Sequence, residues 1–279
     1  MTENVWIALL LAAFAGLSTA LGGLLGVVVP RPSERAMSVA LGFSAGVMIW
    51  VAFVELFQEG VAAIGSTAAA FALFLGIVAM FLVDVLVPHE YLEERMANSV
   101  SPAAAPVCHG RHRRRHGGPP GWRRRAAELQ VLRCGLLVAV GMGIHNFPEG
   151  LATFASTVKE LSLGIGIAVA IAIHNIPEGL AVAAPIYGAT GNRRQAFLWS
   201  ALPGLAELGG AVLAALVLSP FLTPALLGWV LSLVAGIMIF ISLDELVPVA
   251  CALGENHLSI VGVTIGMMLM AVTLGLLHG

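Results

Sequence analysis

The sequence predicts an all-α integral membrane protein with eight transmembrane helices, and three observations lead to this prediction. Hydrophobic residues make up 58% of the 279 residues and only 11% are charged, against about 25% in soluble domains. The chain divides into eight apolar segments, each long enough to cross about 30 Å of hydrocarbon. The basic residues fall almost entirely on one side of the alternating topology that these segments define.

The eight segments leave one connection of substantial length, so we treat residues 1–279 as a single transmembrane domain. The first segment has about 25 apolar residues and no positive charge before it. We therefore interpret it as a retained helix and not as a signal peptide. GxxxG spacings in three segments predict closely packed helices; they are Gly22/Gly26, Gly42/Gly46 and Gly262/Gly266. The segments cover residues 5–29, 36–58, 63–87, 131–157, 161–187, 194–218, 226–250 and 258–278.

The distribution of arginine and lysine predicts the orientation of the chain. Thirteen of the fourteen basic residues fall in or beside connections on one side, and only Lys159 falls on the other. Because cytoplasmic connections are enriched in basic residues, that side should be cytoplasmic and both termini extracytoplasmic. We expect a multi-pass protein of the cell inner membrane.

The connection 88–130 is rich in Arg, His, Gly and Pro and is predicted to be a disordered cytoplasmic loop. His109, His112 and His116 could hold a metal ion weakly. The favoured interpretation is an arginine-rich anchor that meets anionic lipid, because the arginines would repel a cation.

The motif HNFPEG at 145–150 recurs as HNIPEG at 174–179, inside two neighbouring apolar segments. His145 and His174 lie equally far from the polar turn between these segments, so an antiparallel hairpin puts both histidines at one depth near the bilayer centre. Glu149 and Glu178 each follow a histidine by four residues and share its helical face. The prolines of both motifs, at 148 and 177, should kink the helices and free a backbone carbonyl.

Seven carboxylates fall within the predicted spans without a lysine or arginine in any span interior. Because a charged residue at mid-membrane costs about 2.5–3.5 kcal/mol, these groups need protonation, hydration or a bound cation, and a cation is the simplest solution. Imidazole and carboxylate suit Zn²⁺, Fe²⁺, Co²⁺ and Cd²⁺, and less well Mn²⁺. Mg²⁺ and Ca²⁺ prefer oxygen ligands alone.

Several of these residues have a structural alternative. Met48 reaches the same depth, but a helical methionine is normally a core residue. Glu207, at the middle of the sixth segment, is either a ligand or a hydrogen-bonded structural residue. The carboxylates nearer the span ends are either solvated helix ends or part of a metal path; they are Glu55, Glu59, Asp84, Asp244 and Glu245.

Several functional classes receive no support from the sequence. It has no Walker A motif, its three cysteines have no CxxC spacing, and HExxH is absent. An intramembrane metal-dependent hydrolase and a selective cation channel stay as alternatives to a transporter. We expect no enzymatic activity, no cofactor beyond the transported metal and no nucleic-acid partner.

At these residues the chain resembles the ZIP family of divalent-metal transporters, and most closely its bacterial ZupT-type branch. HNFPEGLATF and HNIPEGLAVA resemble the paired motifs of the family, and SAGVM at 44–48, GLAELGG at 204–210 and LDELVP at 243–248 extend the match. The resemblance implies eight helices in a 3+2+3 arrangement, with helices 1–3 and 6–8 related by an inverted repeat. It also implies import of the metal into the cytoplasm, and a homodimer.

Carried over position by position, the resemblance implies a binuclear metal site. Its primary part corresponds to His145, Glu149, His174 and Glu178, with Met48 nearby. Its second part corresponds to Asn146, Asn175 and Glu207, and shares both motif glutamates. Asp244 and Glu245 match an inner release path. Some relatives have aspartate where Asn175 stands, so the second part has one carboxylate fewer here.

Overall fold

The structure, a computed structural model, describes residues 2–28, 33–86, 142–144, 146–218, 221, 223–253 and 256–278. The 88–130 loop with His109, His112 and His116 lies outside these residues, and so does the motif residue His145. The elements of the described part are helical, which confirms the predicted all-α class.

Eight helices correspond to the eight predicted segments. In the described residues, seven of them are long and apolar enough to cross a membrane. The exception is the fourth, of which the structure describes residues 142–144 and the helix 146–159. The helices are α1 (Thr2–Val28), α2 (Glu34–Ile64), α3 (Ser66–Leu86), α4 (146–159), α5 (Leu161–Thr190), α6 (193–218), α7 (Pro224–Leu253) and α8 (Asn256–His278).

Short polar residues begin three of the helices. Ser33, Asn192 and Thr223 precede α2, α6 and α7, and each side-chain oxygen accepts a hydrogen bond from the backbone N–H three residues later, at 3.1–3.2 Å. These bonds satisfy N–H groups that have no partner inside the helix. Gly65 and Gly191 end α2 and α5 with φ angles of 81° and 65°, which a residue with a Cβ rarely adopts.

Three helices contain a wide π-type turn that periodicity did not predict. The turns are Val51–Leu56 in α2, Ala214–Leu218 in α6 and Ser242–Leu246 in α7. The first contains Glu55, and the third contains Asp244 and Glu245. Such turns cluster at functional sites, and here two of them hold carboxylates that were candidates for the metal path.

Glycines set the distances between the packed helices, as the GxxxG spacings predicted. A Cβ at Gly42 would lie 2.3 Å from the carbonyl oxygen of Ser259, and one at Gly46 would lie 2.1 Å from that of Val263. Real Cβ atoms essentially never come closer than 3.0 Å to such an atom. The backbones of α2 and α8 therefore touch at positions where only glycine fits.

The contact of Gly46 recurs in the other half of the chain, which confirms the inverted repeat. Gly46 meets the carbonyl of Val263, and Gly236 meets the carbonyl of Leu73. The two glycines lie as far apart in the sequence as the two carbonyls do. The contact of α2 with α8 thus has its counterpart in the contact of α7 with α3. Since α7 is the fifth helix after α2 and successive spans alternate in direction, the two halves run in opposite directions.

The central helices obey the same symmetry. Gly22 of α1 meets the carbonyl of Ile176 in α5, and Gly210 of α6 meets the carbonyl of Phe147 in α4. The interval from Gly22 to Gly210 relates α1 to α6, and the interval from Phe147 to Ile176 relates α4 to α5. The second interval is also the one that separates the two HNxPEG motifs. The symmetry that relates the two halves therefore also relates α4 to α5, the helices that carry these motifs.

Candidate metal centre

The side chains that the sequence selected as metal ligands lie at the centre of the helix bundle. Seven of the eight are described, and all seven have 0% of their surface exposed. The eighth, His145, lies outside the described residues. The seven are Met48, Asn146, Glu149, His174, Asn175, Glu178 and Glu207.

His174 joins the two motif helices. Its Nε2 atom lies 3.1 Å from Oε1 of Glu149, and its Nδ1 atom lies 3.2 Å from the carbonyl oxygen of Ala170. Because a carbonyl can only accept, Nδ1 must carry the proton of that hydrogen bond. Nε2 is then the ring nitrogen that faces the centre, and the bond from Nδ1–H to a backbone carbonyl orients the ring as it does in metal-binding histidines.

Helix α2 reaches the same centre through Ser44. The Oγ atom of Ser44 lies 3.1 Å from Oε1 of Glu178 and 3.3 Å from the carbonyl oxygen of His174. Ser44 was not among the predicted site residues. It precedes Met48 by four residues and shares its helical face, which is a signal that the sequence already contained.

Asn175 connects the centre to α1 and α6 through hydrogen bonds. Its Nδ2 group donates to Oε2 of Glu207 at 2.8 Å and to the carbonyl oxygen of Ala15 at 3.0 Å. Both protons of the amide group are used in this way, and its Oδ1 atom has no hydrogen-bond partner among the described residues. Glu207 is held by one oxygen, and its other oxygen likewise has no partner in the described part of the chain.

Several buried polar atoms of the centre, most of them oxygens, have no hydrogen-bond partner within the described part of the chain. They include Oε2 of Glu149, Oε1 of Glu207 and Oδ1 of Asn175, together with both polar atoms of the Asn146 side chain. Leaving such atoms buried and unsatisfied costs about 1–3 kcal/mol each. Carboxylate and amide oxygens bind cations through their lone pairs, so the chemistry of these oxygens fits a bound metal ion.

Among the described residues, which exclude His145, no group of three or more His, Cys, Asp or Glu side chains lies close enough to hold a metal ion. The primary set of four ligands includes His145, so its geometry stays a prediction. What the described residues provide is one contact between histidine and carboxylate, one between serine and carboxylate, and one between asparagine and carboxylate.

Comparison with known proteins decides the family. Residues 4–274 match the ZIP Zinc transporter family. The chain belongs to this family. A protein of the family named Zinc transporter ZupT, from Streptococcus mutans, is 41% identical over 282 residues, with 98% of each chain covered. A second, from Corynebacterium efficiens, is 43% identical and covers 98% of this chain and 97% of its own. A third, from Nitratidesulfovibrio vulgaris, is 44% identical with 97% of both covered.

The carboxylates of this ZIP protein that lie away from the centre have different environments. Glu55 is 8% exposed, whereas Asp84 and Glu245 are half-buried and Asp244 is exposed. Glu59, four residues beyond Glu55 on α2, forms an ion pair with Lys159, and 29% of each side chain is exposed. The single lysine of the chain thus contacts a carboxylate of the predicted path, a pairing that sequence spacing could not predict.

Proposed function

We propose that this protein carries divalent transition-metal ions, Zn²⁺ foremost, across the membrane into the cytoplasm through the buried centre. The observation that supports this most directly is the burial of Glu149, Glu178 and Glu207 at 0% exposure beside His174. The sequence has no lysine or arginine in residues 36–94, 134–158, 160–192 or 195–279 to neutralise them. A divalent cation supplies the missing positive charge.

The ligand chemistry supports a transition metal over Mg²⁺ or Ca²⁺. The lone pair of His174 Nε2 and the sulfur of Met48 are donors that the oxygen-preferring ions use poorly. Zn²⁺ accepts imidazole and carboxylate together, as do Fe²⁺, Co²⁺ and Cd²⁺, and Mn²⁺ less well. The relatives described above carry the name Zinc transporter, in line with Zn²⁺ as the principal cargo.

In the proposed site, the primary ion is bound by His145, Glu149, His174 and Glu178, with Met48 nearby. The second ion is bound by Asn146, Asn175 and Glu207 and shares the two motif glutamates. These groups replace the hydration shell of the ion. The inverted repeat offers two related arrangements of the helices, one open to each side, as in other transporters with this symmetry.

Carboxylates in or near the wide turns of α2 and α7, together with one near the end of α3, extend the proposed path. Glu55 and Glu59 lie on the extracytoplasmic side of the centre, and Asp84, Asp244 and Glu245 lie on the cytoplasmic side. Wide turns allow a helix to change its backbone bonding with little rearrangement, which suits segments that must move during transport. An incoming ion would have to displace Lys159 from Glu59.

We infer the location, orientation and oligomeric state of the protein from its sequence. We place it in the cell inner membrane with both termini extracytoplasmic and the 88–130 loop in the cytoplasm, and we expect a homodimer. The loop serves as an arginine-rich lipid contact. No reaction is assigned to the centre and no cofactor is needed beyond the transported metal.

Radioactive zinc uptake into proteoliposomes tests the function. A transporter gives saturable and selective uptake, a channel gives fast and weakly selective uptake, and a metal-dependent hydrolase gives none. Glu149→Ala and Glu178→Ala should abolish uptake at equal expression, because both side chains belong to both ion sites. Glu34→Ala, at an exposed carboxylate in the first turn of α2, is the matched control and should retain uptake. Normal uptake in either centre variant would refute the assignment.

A further inference from the structure

The inverted repeat identifies a residue of α1 as the counterpart of Glu207. The carbonyl of Glu207 is met by Gly150 of α4, and the carbonyl of Thr19 is met by Gly179 of α5. Thr19 and Glu207 are as far apart in the sequence as Gly22 of α1 and Gly210 of α6. The two glycines are as far apart as Phe147 of α4 and Ile176 of α5. Thr19 thus occupies in one half the place that Glu207 occupies in the other.

The asparagines of the two motifs are related in the same way. Asn175 precedes Gly179 by four residues, and Asn146 precedes Gly150 by four. The counterpart of the Asn175–Glu207 pair is therefore the pair formed by Asn146 and Thr19. One half of the centre has an amide and a carboxylate at this place, and the other half has an amide and a hydroxyl.

The packing of α1 against α4 indicates that Thr19 and Asn146 lie at the same depth along the two helices. Ala8 and Ala12 of α1 pack in one fully buried cluster with Phe154 of α4. Because successive spans alternate in direction and α4 is the third span after α1, the two helices run in opposite directions. Thr19 lies seven residues after Ala12, and Asn146 lies eight residues before Phe154. At 1.5 Å per residue both steps are about 10–12 Å along the same direction.

The two pairs differ in how their polar atoms are satisfied. Asn175 donates to Glu207 at 2.8 Å. In contrast, Oγ1 of Thr19 and both Nδ2 and Oδ1 of Asn146 have no hydrogen-bond partner among the described residues, although both side chains are 0% exposed. Buried polar atoms in proteins are bonded to protein or to ordered water. The hydroxyl of Thr19 and the Nδ2 group of Asn146 are enough to hold one water molecule, which needs two to four polar partners, and Oδ1 of Asn146 stays available to the ion.

We propose that Thr19 and Asn146 form a neutral half of the metal centre that binds a water ligand of the transported ion. This inference rests on the proposed function. The second ion would then be bound by the charge of Glu207 on the α6 side, and by Oδ1 of Asn146 together with the water on the α1 side. Thr19 is a positioning residue because it contacts the water and not the ion. The retained water also explains how one half of the repeat lacks a carboxylate without leaving its polar atoms unsatisfied.

Three substitutions at Thr19 test the proposal in purified protein and in proteoliposomes. Thr19→Val keeps the shape and removes the hydroxyl, so the KM for Zn²⁺ should rise about two- to ten-fold, the factor expected for one lost hydrogen bond, with little change in maximal rate. Thr19→Ser should restore the native KM. Thr19→Asp supplies the carboxylate that the other half has, and should tighten equilibrium Zn²⁺ binding.

Thr157→Val is the matched control, because Thr157 is equally buried but its hydroxyl already donates to the carbonyl of Thr153 at 2.6 Å. Its KM should stay at the native value. If the native protein transports Zn²⁺ while Thr19→Val and Thr19→Asp both retain native KM and affinity, the water site is refuted and the transport function stands. If the native protein itself neither binds nor transports the metal, the proposed function fails.

Discussion

A methyl group added at Gly210 should push apart the two helices that carry Glu149 and Glu207. In Gly210→Ala the new Cβ would lie 2.1 Å from the carbonyl oxygen of Phe147 in α4. Since such contacts essentially never fall below 3.0 Å, α4 and α6 must separate by most of an ångström. Zinc–oxygen bonds of about 2.0–2.2 Å do not tolerate a shift of this size.

The neighbouring glycine provides the control for this prediction. A Cβ at Gly209 meets nothing within 4 Å. Both substitutions should gain up to about 1 kcal/mol from the better helix propensity of alanine. Only Gly210→Ala incurs the overpacking cost of about 1–3 kcal/mol. The two variants should therefore differ by about that cost, with Gly209→Ala the more stable.

Thermal unfolding in detergent and zinc uptake measure the two consequences. At roughly 2–4 °C per kcal/mol for a chain of about this size, the variants should differ in Tm by several degrees. Zinc uptake should be near normal in Gly209→Ala and strongly reduced in Gly210→Ala at equal expression. Equal Tm and equal uptake in the two variants would refute the close contact of α4 with α6.

Three further predictions concern other parts of the molecule. Glu207→Gln should keep transport but change metal preference or apparent affinity, and equilibrium binding should fall from two ions to one; two ions bound with native affinity would remove Glu207 from the site. Deleting residues 106–125 should leave substantial zinc uptake, as should replacing the three loop histidines, and complete loss in the histidine variant would make the loop an obligatory ligand. Lys159→Met should lower the KM for Zn²⁺ by freeing Glu59, whereas an unchanged or higher KM would argue against displacement of the lysine.

The sequence was sufficient for the fold class, and seven of its eight candidate ligands are fully buried in the described part of the structure. Hydropathy alone defines the spans, because a segment in hydrocarbon must be apolar along its length and must bond its own backbone. The centre was visible for the same reason. Polar residues such as His174 and Glu178 are costly in such a segment, and a doubled motif at matched depth is unexpected without a ligand.

Only the tertiary structure decided how the helices meet. The contact of Ser44 with Glu178 and the ion pair of Lys159 with Glu59 each join residues far apart in the chain, and the wide turn around Glu55 has no signal in helix periodicity. Thr19 is the strongest example. By itself it is an ordinary threonine in an apolar segment, and it becomes a counterpart of Glu207 only when the glycine contacts reveal how the two halves are superposed. Helix periodicity fixes which residues share a face, whereas the partner of that face is set by backbone packing between distant segments.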